Sequence, residues 1–374
     1  MSPAITLFLP SVEGGGAERV FVQLANEFAK LGCRVEFVLA RARGPYLEEI
    51  SEQVRIVDLR ASGVLNCLPA LVRYLRSRRP AAILSGLEHA NVIAVLARSL
   101  AGRSTRCVVS TRAVPTAIYR ANRSRRRWMT LQMSRLTYRL ADQVIANSQA
   151  VAADLAGSLG VSNGKLTVIY NPLDMEYIDR NSRMAADHPW LTPGSAPVVL
   201  SVGSLTVLKD FQTLIRAFAI VRSARECRLI ILGEGPERAK LESMVEQLNL
   251  RNDVCLPGFV GNPFAWMRCA GVFVSSSLTE GCPNALMQAL ACGTAVVSTD
   301  CNGGSAEILQ AGKWGHLVPV GDAEAMAAAI TAALDSPRPN GRQRANDFAL
   351  HEIAQQYLHA LLPSHLPALT RGPA

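Results

Sequence analysis

The chain has 374 residues, 49% of them hydrophobic and 18% charged, with a formal net charge of +9. That length exceeds what one core usually serves, so two domains are expected, while no run approaches the roughly 18 apolar residues that a helical membrane span needs. Nine cysteines, an odd number with no C-x-x-C pair, argue against a disulfide framework and read as reduced packing residues.

The opening "MSPAITLFLPSVEGGG" has neither a basic stretch nor a long apolar core and reads as a first strand and turn, so a cytosolic protein is expected. From there β-rich runs ("AITLFLP", "RVEFVLA", "VRIVDL", "AAILSG", "RCVVST", "QVIANS", "LTVIYN") alternate with candidate helices at 17–31, 65–78, 90–101, 127–141 and 149–159. Periodicity then lapses over "YNPLDMEYIDRNSRMAADHPWLTPGSA", where the domain boundary is expected near 171–195. The second half repeats the scheme with "APVVLSVG", "CRLIILG", "DVCLPG", "GVFVSSS", "TAVVSTD" and "GHLVPV", separated by helices near 210–223, 236–248, 262–269, 283–291 and 322–335. Val/Ile/Leu strands joined by crossover helices imply buried parallel sheets, hence two doubly wound α/β domains. They are assigned to 1–172 and 195–340, followed by a final helix at 342–362 and a frayed tail, "PSHLPALTRGPA".

The charge is unevenly spread. Residues 1–170 hold 23 basic and 11 acidic residues, against 16 and 19 in the remainder. The densest basic stretch, "YRANRSRRRWMTLQMSRLTYRL", runs Arg120, Arg123, Arg125, Arg126 and Arg127 into Trp128, Met129, Leu131 and Met133. A positive, partly amphipathic helix of this kind suits an anionic membrane surface or a phosphate-bearing partner; the alternative is a solvated helix face.

Open α/β sheets bind ligands beyond the carboxyl ends of their strands, which directs attention to three loops. In "PSVEGGGAERVF", Gly15 and Gly16 allow close backbone approach at a helix start that attracts anions, or merely join strand to helix; the pattern is no dinucleotide fingerprint, because Arg19 stands where its third glycine would be. In "LSVGSLTVLKDFQTLIRAF", Lys209 follows a strand end as a candidate phosphate contact and Asp210 caps the next helix. In "SSSLTEGCPNALMQALACG", Glu280 and Gly281 turn the chain after a buried strand, Pro283 suits a helix start, and the N–H groups of Asn284, Ala285 and Leu286 offer an anion site. Gln288 lies eight residues beyond Glu280, slightly over two turns, so both can face one cleft. No Asp-x-Asp triplet occurs, and the histidines lack ligand-like grouping, so no metal is expected.

Taken together, "GGAERVFVQLANEFAKLG", "SVGSLTVLKDFQTLIRAFAIVR", "LIILGEGPERAKLESMVEQLNL", "LPGFV", "TEGCPNALMQALACGTAVVSTDCNGGSAEIL" and "GKWGHLVPVGD" resemble, in order, the successive blocks of the retaining, GT-B-fold glycosyltransferases of family four, most closely those that build bacterial exopolysaccharides, O-antigens and lipid-linked oligosaccharides. The resemblance implies two Rossmann-like domains facing a central cleft, the N-terminal one receiving the acceptor, the C-terminal one binding a UDP- or GDP-type sugar donor, and a last helix crossing back to the first domain. It implies that Lys209 and the helix start at Asn284 to Leu286 hold the diphosphate, that Glu280 is the first acid of the E-x7-E motif and contacts the donor sugar, and that Gln288 stands where the second acid binds ribose. Ser204, Gly233, Gly235 and the turn at Phe259 would line the nucleotide pocket, with Gly15 and Gly16 near the donor.

Three positions depart from the family pattern: Ser204 replaces the arginine of "GRL", Arg112 stands where some members have the catalytic-site histidine of the N-terminal domain, and Gln288 replaces an acid. Serine and arginine at the first two occur in bacterial relatives. His89, at a helix start, is a further candidate for the site or else a surface cap. The implied function is a metal-independent hexosyl- or N-acetylhexosaminyltransferase without cofactor, acting at the inner face of the cell membrane on a glycan or lipid-linked acceptor, with no nucleic-acid partner. The rivals are a noncatalytic nucleotide-sugar-binding paralogue and a nucleotide-sugar 2-epimerase.

Overall fold

The computed structural model describes residues 3–121, 123–337 and 340–363; the terminal stretch from residue 364, read above as a frayed tail, lies outside them. Among the described residues two compact units form, one within 3–172 together with 350–363 and the other within 173–349. Among the described residues no helix is long and apolar enough to cross a membrane.

The first unit holds seven parallel strands, β1 (Ala4–Leu9), β2 (Arg34–Leu39), β3 (Arg55–Asp58), β4 (Ala82–Gly86), β5 (Arg106–Thr111), β6 (Gln143–Ala146) and β7 (Leu166–Val168), in the order β3-β2-β1-β4-β5-β6-β7. Side-chain alternation along β1 separates the two faces. Ile5, Leu7 and Leu9 pack with Phe21, Leu24 and Phe28 of helix Gly16–Lys30 and with Tyr357 and Leu361 of the last helix, Leu350–Leu361. Phe8 faces the other way, onto Leu71 and Ile93 of helices Leu68–Arg78 and Glu88–Ala101. Each fully buried Leu, Ile or Phe contributes about 1.5–3 kcal/mol to holding these layers.

The second unit repeats the design with β8 (Val198–Val202), β9 (Arg228–Leu232), β10 (Val254–Gly258), β11 (Val272–Ser275), β12 (Ala295–Thr299) and β13 (His316–Val318), ordered β10-β9-β8-β11-β12-β13 and all parallel. Each of the thirteen strand segments read from the sequence contains one of these strands. In each sheet the order reverses once, between β1 and β4 and between β8 and β11, and such reversals open a crevice at the carboxyl edge.

Three local features differ from the sequence-based expectation. Within 171–195 the chain forms helix Met175–Ser182, whose cap Asp174 accepts from the Tyr177 N–H at 2.9 Å; its single turn-pair of apolar residues was too short to stand out. The helix expected over 342–362 is broken into Gly341–Asn346 and Leu350–Leu361, because Phe348 turns inward at 1% exposure and its carbonyl accepts from the Leu173 N–H at 2.8 Å. The basic stretch is likewise two helices, Pro115–Ala121 and Arg125–Thr137, the second restarted by Ser124, whose Oγ accepts from the Arg127 N–H.

Candidate functional site

In the second unit the carboxyl ends of β8 and β11 flank the reversal, and the loops leaving them carry Lys209 and Glu280. Their side chains form an ion pair, with Lys209 29% and Glu280 14% exposed. Glu280 Oε1, which receives the Lys209 ammonium, also accepts from Ser277 Oγ at 2.8 Å. The two loops are stitched together by Ser276 Oγ donating to the Lys209 carbonyl at 2.7 Å and by the Leu278 N–H donating to the Leu208 carbonyl at 2.8 Å. Asp210 caps helix Phe211–Ala224 through Thr213, as its position in the sequence implies, and does so in the left-handed region at φ 45°.

A third loop fixes Glu280 from the other side. After β12, the Asn302 carbonyl accepts from the Thr279 hydroxyl at 2.9 Å and the Gly304 N–H donates to the Gly281 carbonyl at 3.0 Å, while Thr299 Oγ1, at the last residue of β12, donates to the Ser277 carbonyl at 2.6 Å. Gly303 lies so close that a Cβ there would come within 1.8 Å of the Glu280 carbonyl oxygen. Ser276, Ser277 and Gly303 were not singled out in the sequence; the triple serine at a strand end and the Gly-Gly pair after β12 were the signals available.

Helix Asn284–Ala291 begins beside this cluster with Pro283 as N-cap, one residue before the helix, and Pro283 offers no side-chain cap bond. Asn284 and Ala285 are half-buried, whereas Leu286 is 0% exposed, so only its backbone N–H is available to a ligand. Gln288 is half-buried, and its carboxamide has no hydrogen-bond partner among the described residues. Ser204 is exposed. The absent side chains of Gly233 and Gly235 are explained by the neighbouring loop, since a Cβ would approach the Gly203 carbonyl to 2.0 Å and the Leu205 carbonyl to 2.3 Å. Phe259, beyond the end of β10, is 76% exposed, an unusual position for a ring unless something stacks on it.

In the first unit the reversal lies between the Gly14–Gly16 loop after β1 and the start of helix Glu88–Ala101 after β4. Gly15 is the N-cap of its helix, and the Glu18 carboxylate folds back to where a Gly15 Cβ would sit, at 2.2 Å, so this helix start already faces a negative charge of its own. Leu87, the N-cap of helix Glu88–Ala101, holds φ 71°, a strained value for a bulky residue. Burial pushes the Glu88 carboxyl up to about 7, with Arg127 opposing and Asp154 reinforcing the shift; burial and then Arg126 hold His89 below its usual value. Arg112, after β5, is half-buried and bonded to Ser110, Tyr357 and Asn171. Among the basic residues, Arg123, Arg125 and Arg126 are exposed alongside Trp128, Met129, Met133 and Leu136, while Arg127 is half-buried and spends a guanidinium N–H on the Ile118 carbonyl at 2.9 Å.

Family models match both units: "Glycosyltransferase Family 4" over residues 14–177 and "Glycosyl transferases group 1" over 196–336. A Campylobacter jejuni relative, named as the N-acetylgalactosamine-N,N'-diacetylbacillosaminyl-diphospho-undecaprenol 4-alpha-N-acetylgalactosaminyltransferase, is 30% identical over 372 residues, covering 95% of this chain and 98% of its own. The Rhizobium meliloti lipopolysaccharide core biosynthesis glycosyltransferase LpsE is 27% identical, covering 93% and 96%. Among solved structures, Anabaena HepE in complex with UDP superposes with a TM-score of 0.79 at 21% identity, over 96% of this chain and 100% of that one. The chain belongs to glycosyltransferase family 4 and has the GT-B fold, two parallel Rossmann-like α/β sheets of seven and six strands.

Proposed function

We propose that the chain is a retaining transferase that moves a hexosyl or N-acetylhexosaminyl residue from a nucleoside-diphosphate sugar to a membrane-associated, lipid-linked glycan in the synthesis of a cell-surface polysaccharide. The observation that carries this reading is the Lys209–Glu280 pair at the strand-order reversal of the second unit, beside the start of helix Asn284–Ala291. The second unit takes the donor and the first the acceptor. The C. jejuni relative, which matches over nearly its whole length, is named for transfer to a diphospho-undecaprenol-linked sugar, and that supports the acceptor class.

The chemistry follows from the charges. As the bond from the anomeric carbon to the β-phosphate oxygen breaks, its electron pair stays on the phosphate; Lys209 and the N–H groups at Asn284 to Leu286 stabilise that charge. Glu280 Oε2 accepts a hydroxyl of the donor sugar, Gln288 bonds the ribose, and Phe259 stacks on the base. Ser204, Gly233 and Gly235 line the nucleotide pocket of the second unit. The acceptor hydroxyl attacks from the departing face and gives its proton to the leaving phosphate, so no separate base is required. His89 and Arg112 serve the acceptor side. Arg123, Arg125 and Arg126, with the exposed Trp128 and Met129, rest on the anionic inner face of the membrane.

Incubating purified protein with a panel of UDP- and GDP-sugars and a short-chain lipid diphosphate sugar tests the reading. Transfer with retained anomeric configuration is expected; donor binding without turnover on any acceptor would favour the noncatalytic paralogue, and conversion without acceptor the epimerase.

A further inference from the structure

Arg112 is a half-buried cation whose hydrogen-bond partners are all neutral. Nη1 donates to Ser110 Oγ and Tyr357 Oη, both at 3.2 Å, Nη2 donates to Asn171 Oδ1 at 2.6 Å, and the guanidinium lies 5.9 Å from the centroid of the Phe21 ring. No ion pair involves it among the described residues. Arg98 and Arg228, also drawn into the protein, meet Asp142 and Asp253. An enclosed charge without a counter-ion is costly, and a neutral shell orients the planar fork without neutralising it.

Asn147 provides a second, independent observation in the same cluster. It is 0% exposed, and its Nδ2 donates to the Arg112 carbonyl at 3.1 Å and to Asn171 Oδ1 at 3.4 Å, the oxygen that also receives Arg112. Those two acceptors fix which way the carboxamide points, since the flipped amide would set oxygen against oxygen. Its Oδ1 is then sealed from solvent with no donor. Buried acceptors are rarely left so, and an explanation is required. Both residues directly follow the carboxyl ends of neighbouring strands, Arg112 after β5 and Asn147 after β6, the edge where open sheets receive ligands.

We propose that Arg112 and Asn147 form an oxyanion site in the first unit, taking a negatively charged oxygen group carried on a hydroxylated ligand. The anionic oxygens bind the Arg112 fork, and a neighbouring hydroxyl of the same ligand donates to Asn147 Oδ1 on displacing the side chains that close it from solvent. The ligand class is a sugar phosphate or a carboxylate-bearing sugar. The choice of a sugar as carrier rests on the transferase reading above; the charge and the acceptor do not.

The test uses the full chain and the probes glucose 1-phosphate, glucuronate, glucose and inorganic phosphate, titrated by calorimetry at low ionic strength. One or both anionic sugars are expected to bind at least about tenfold more tightly than glucose, and Arg112→Gln to abolish that preference, as loss of a charge-assisted bond implies. Whichever anionic sugar prevails identifies phosphate or carboxylate as the source of the charge. Lys209→Ala is expected to retain the preference, which separates this site from the donor phosphate site. Should Arg112→Gln not fold, Arg112→Lys, which keeps the charge but loses the fork, is expected to lose at least about threefold of the preference. The proposal is overturned by equal binding of all three sugars, by an anionic preference that survives loss of Arg112, or by inorganic phosphate binding as tightly as the sugars, which would leave Asn147 without a role. Sugar transfer in the absence of anionic preference would sink this site and keep the transferase; anionic preference without transfer would do the reverse.

Discussion

The Lys209 ammonium and Ser277 Oγ meet the same oxygen of Glu280, Oε1, so Oε2 has no protein donor among the described residues. A carboxylate held on one side and open on the other is oriented without being consumed.

On the proposed role of Glu280, Glu280→Ala is expected to lower turnover at least about tenfold, because a contact to the reacting sugar that tightens at the transition state would be lost. Affinity for the nucleoside diphosphate should hold or rise, since Lys209 loses its competing partner. Steady-state kinetics alongside calorimetry with UDP or GDP checks both; normal turnover would remove Glu280 from the site.

Gln288 separates binding from chemistry. Its unpartnered carboxamide can accept from one ribose hydroxyl and donate to the other. Gln288→Glu is expected to keep or tighten donor binding, and Gln288→Leu to raise the donor KM with a smaller change in kcat, as for a contact equal in ground and transition states. An unchanged KM in the leucine variant would mean that the glutamine only packs.

Gly303→Ala tests the loop behind Glu280. A Cβ placed within 1.8 Å of the Glu280 carbonyl forces that backbone to move, at a cost of about 1–3 kcal/mol typical of overpacking. Turnover should fall further than the melting temperature alone accounts for, while Gly261→Ala, with open space around its Cβ, should do neither.

Glu88 makes stability depend on pH. Its carboxyl titrates near 7 when folded, well above its ordinary value of 4.5, so the folded state holds a proton that the unfolded chain has released between those values. Stability from this group is present below about 4.5 and is lost as pH rises through 7, amounting to at most about 3 kcal/mol. Glu88→Gln should flatten the decline, melting close to the parent at pH 5 and above it at pH 8. Parallel melting curves would show that the carboxyl is not held protonated.

Reversing the charge of Arg123, Arg125 and Arg126 should release the protein from anionic liposomes at salt concentrations where the parent stays bound, each cation contributing roughly 1 kcal/mol at such a surface. Arg127 is left in place because its bond to the Ile118 carbonyl ties two helices together. Equal sedimentation of both proteins with liposomes would mean that this face is merely solvated.

Much of this molecule was written in its local pattern. Near-continuous apolar runs such as "RVEFVLA" and "CRLIIL" read as buried parallel strands, and the glycine, proline and capping signals between them located most of the helices to within a few residues, though not Pro115–Ala121, Met175–Ser182 or Ser305–Ile308. The strand ends bearing Lys209 and Glu280 followed, because ligand loops in such sheets leave the carboxyl edge. What the tertiary structure decided was which loops meet. Strand order sets Lys209 beside Glu280, 71 residues apart, and gives both Ser277 and Gly303 as supports. It also buries Phe348, breaking a helix that periodicity would have run straight through. The same holds for Arg112: its lack of a counter-ion depends on Tyr357, 245 residues away, and on Asn171. Periodicity reports which face of an element is apolar; which charges share that space is set by long-range packing, and so a lone cation is visible only once the chain has folded.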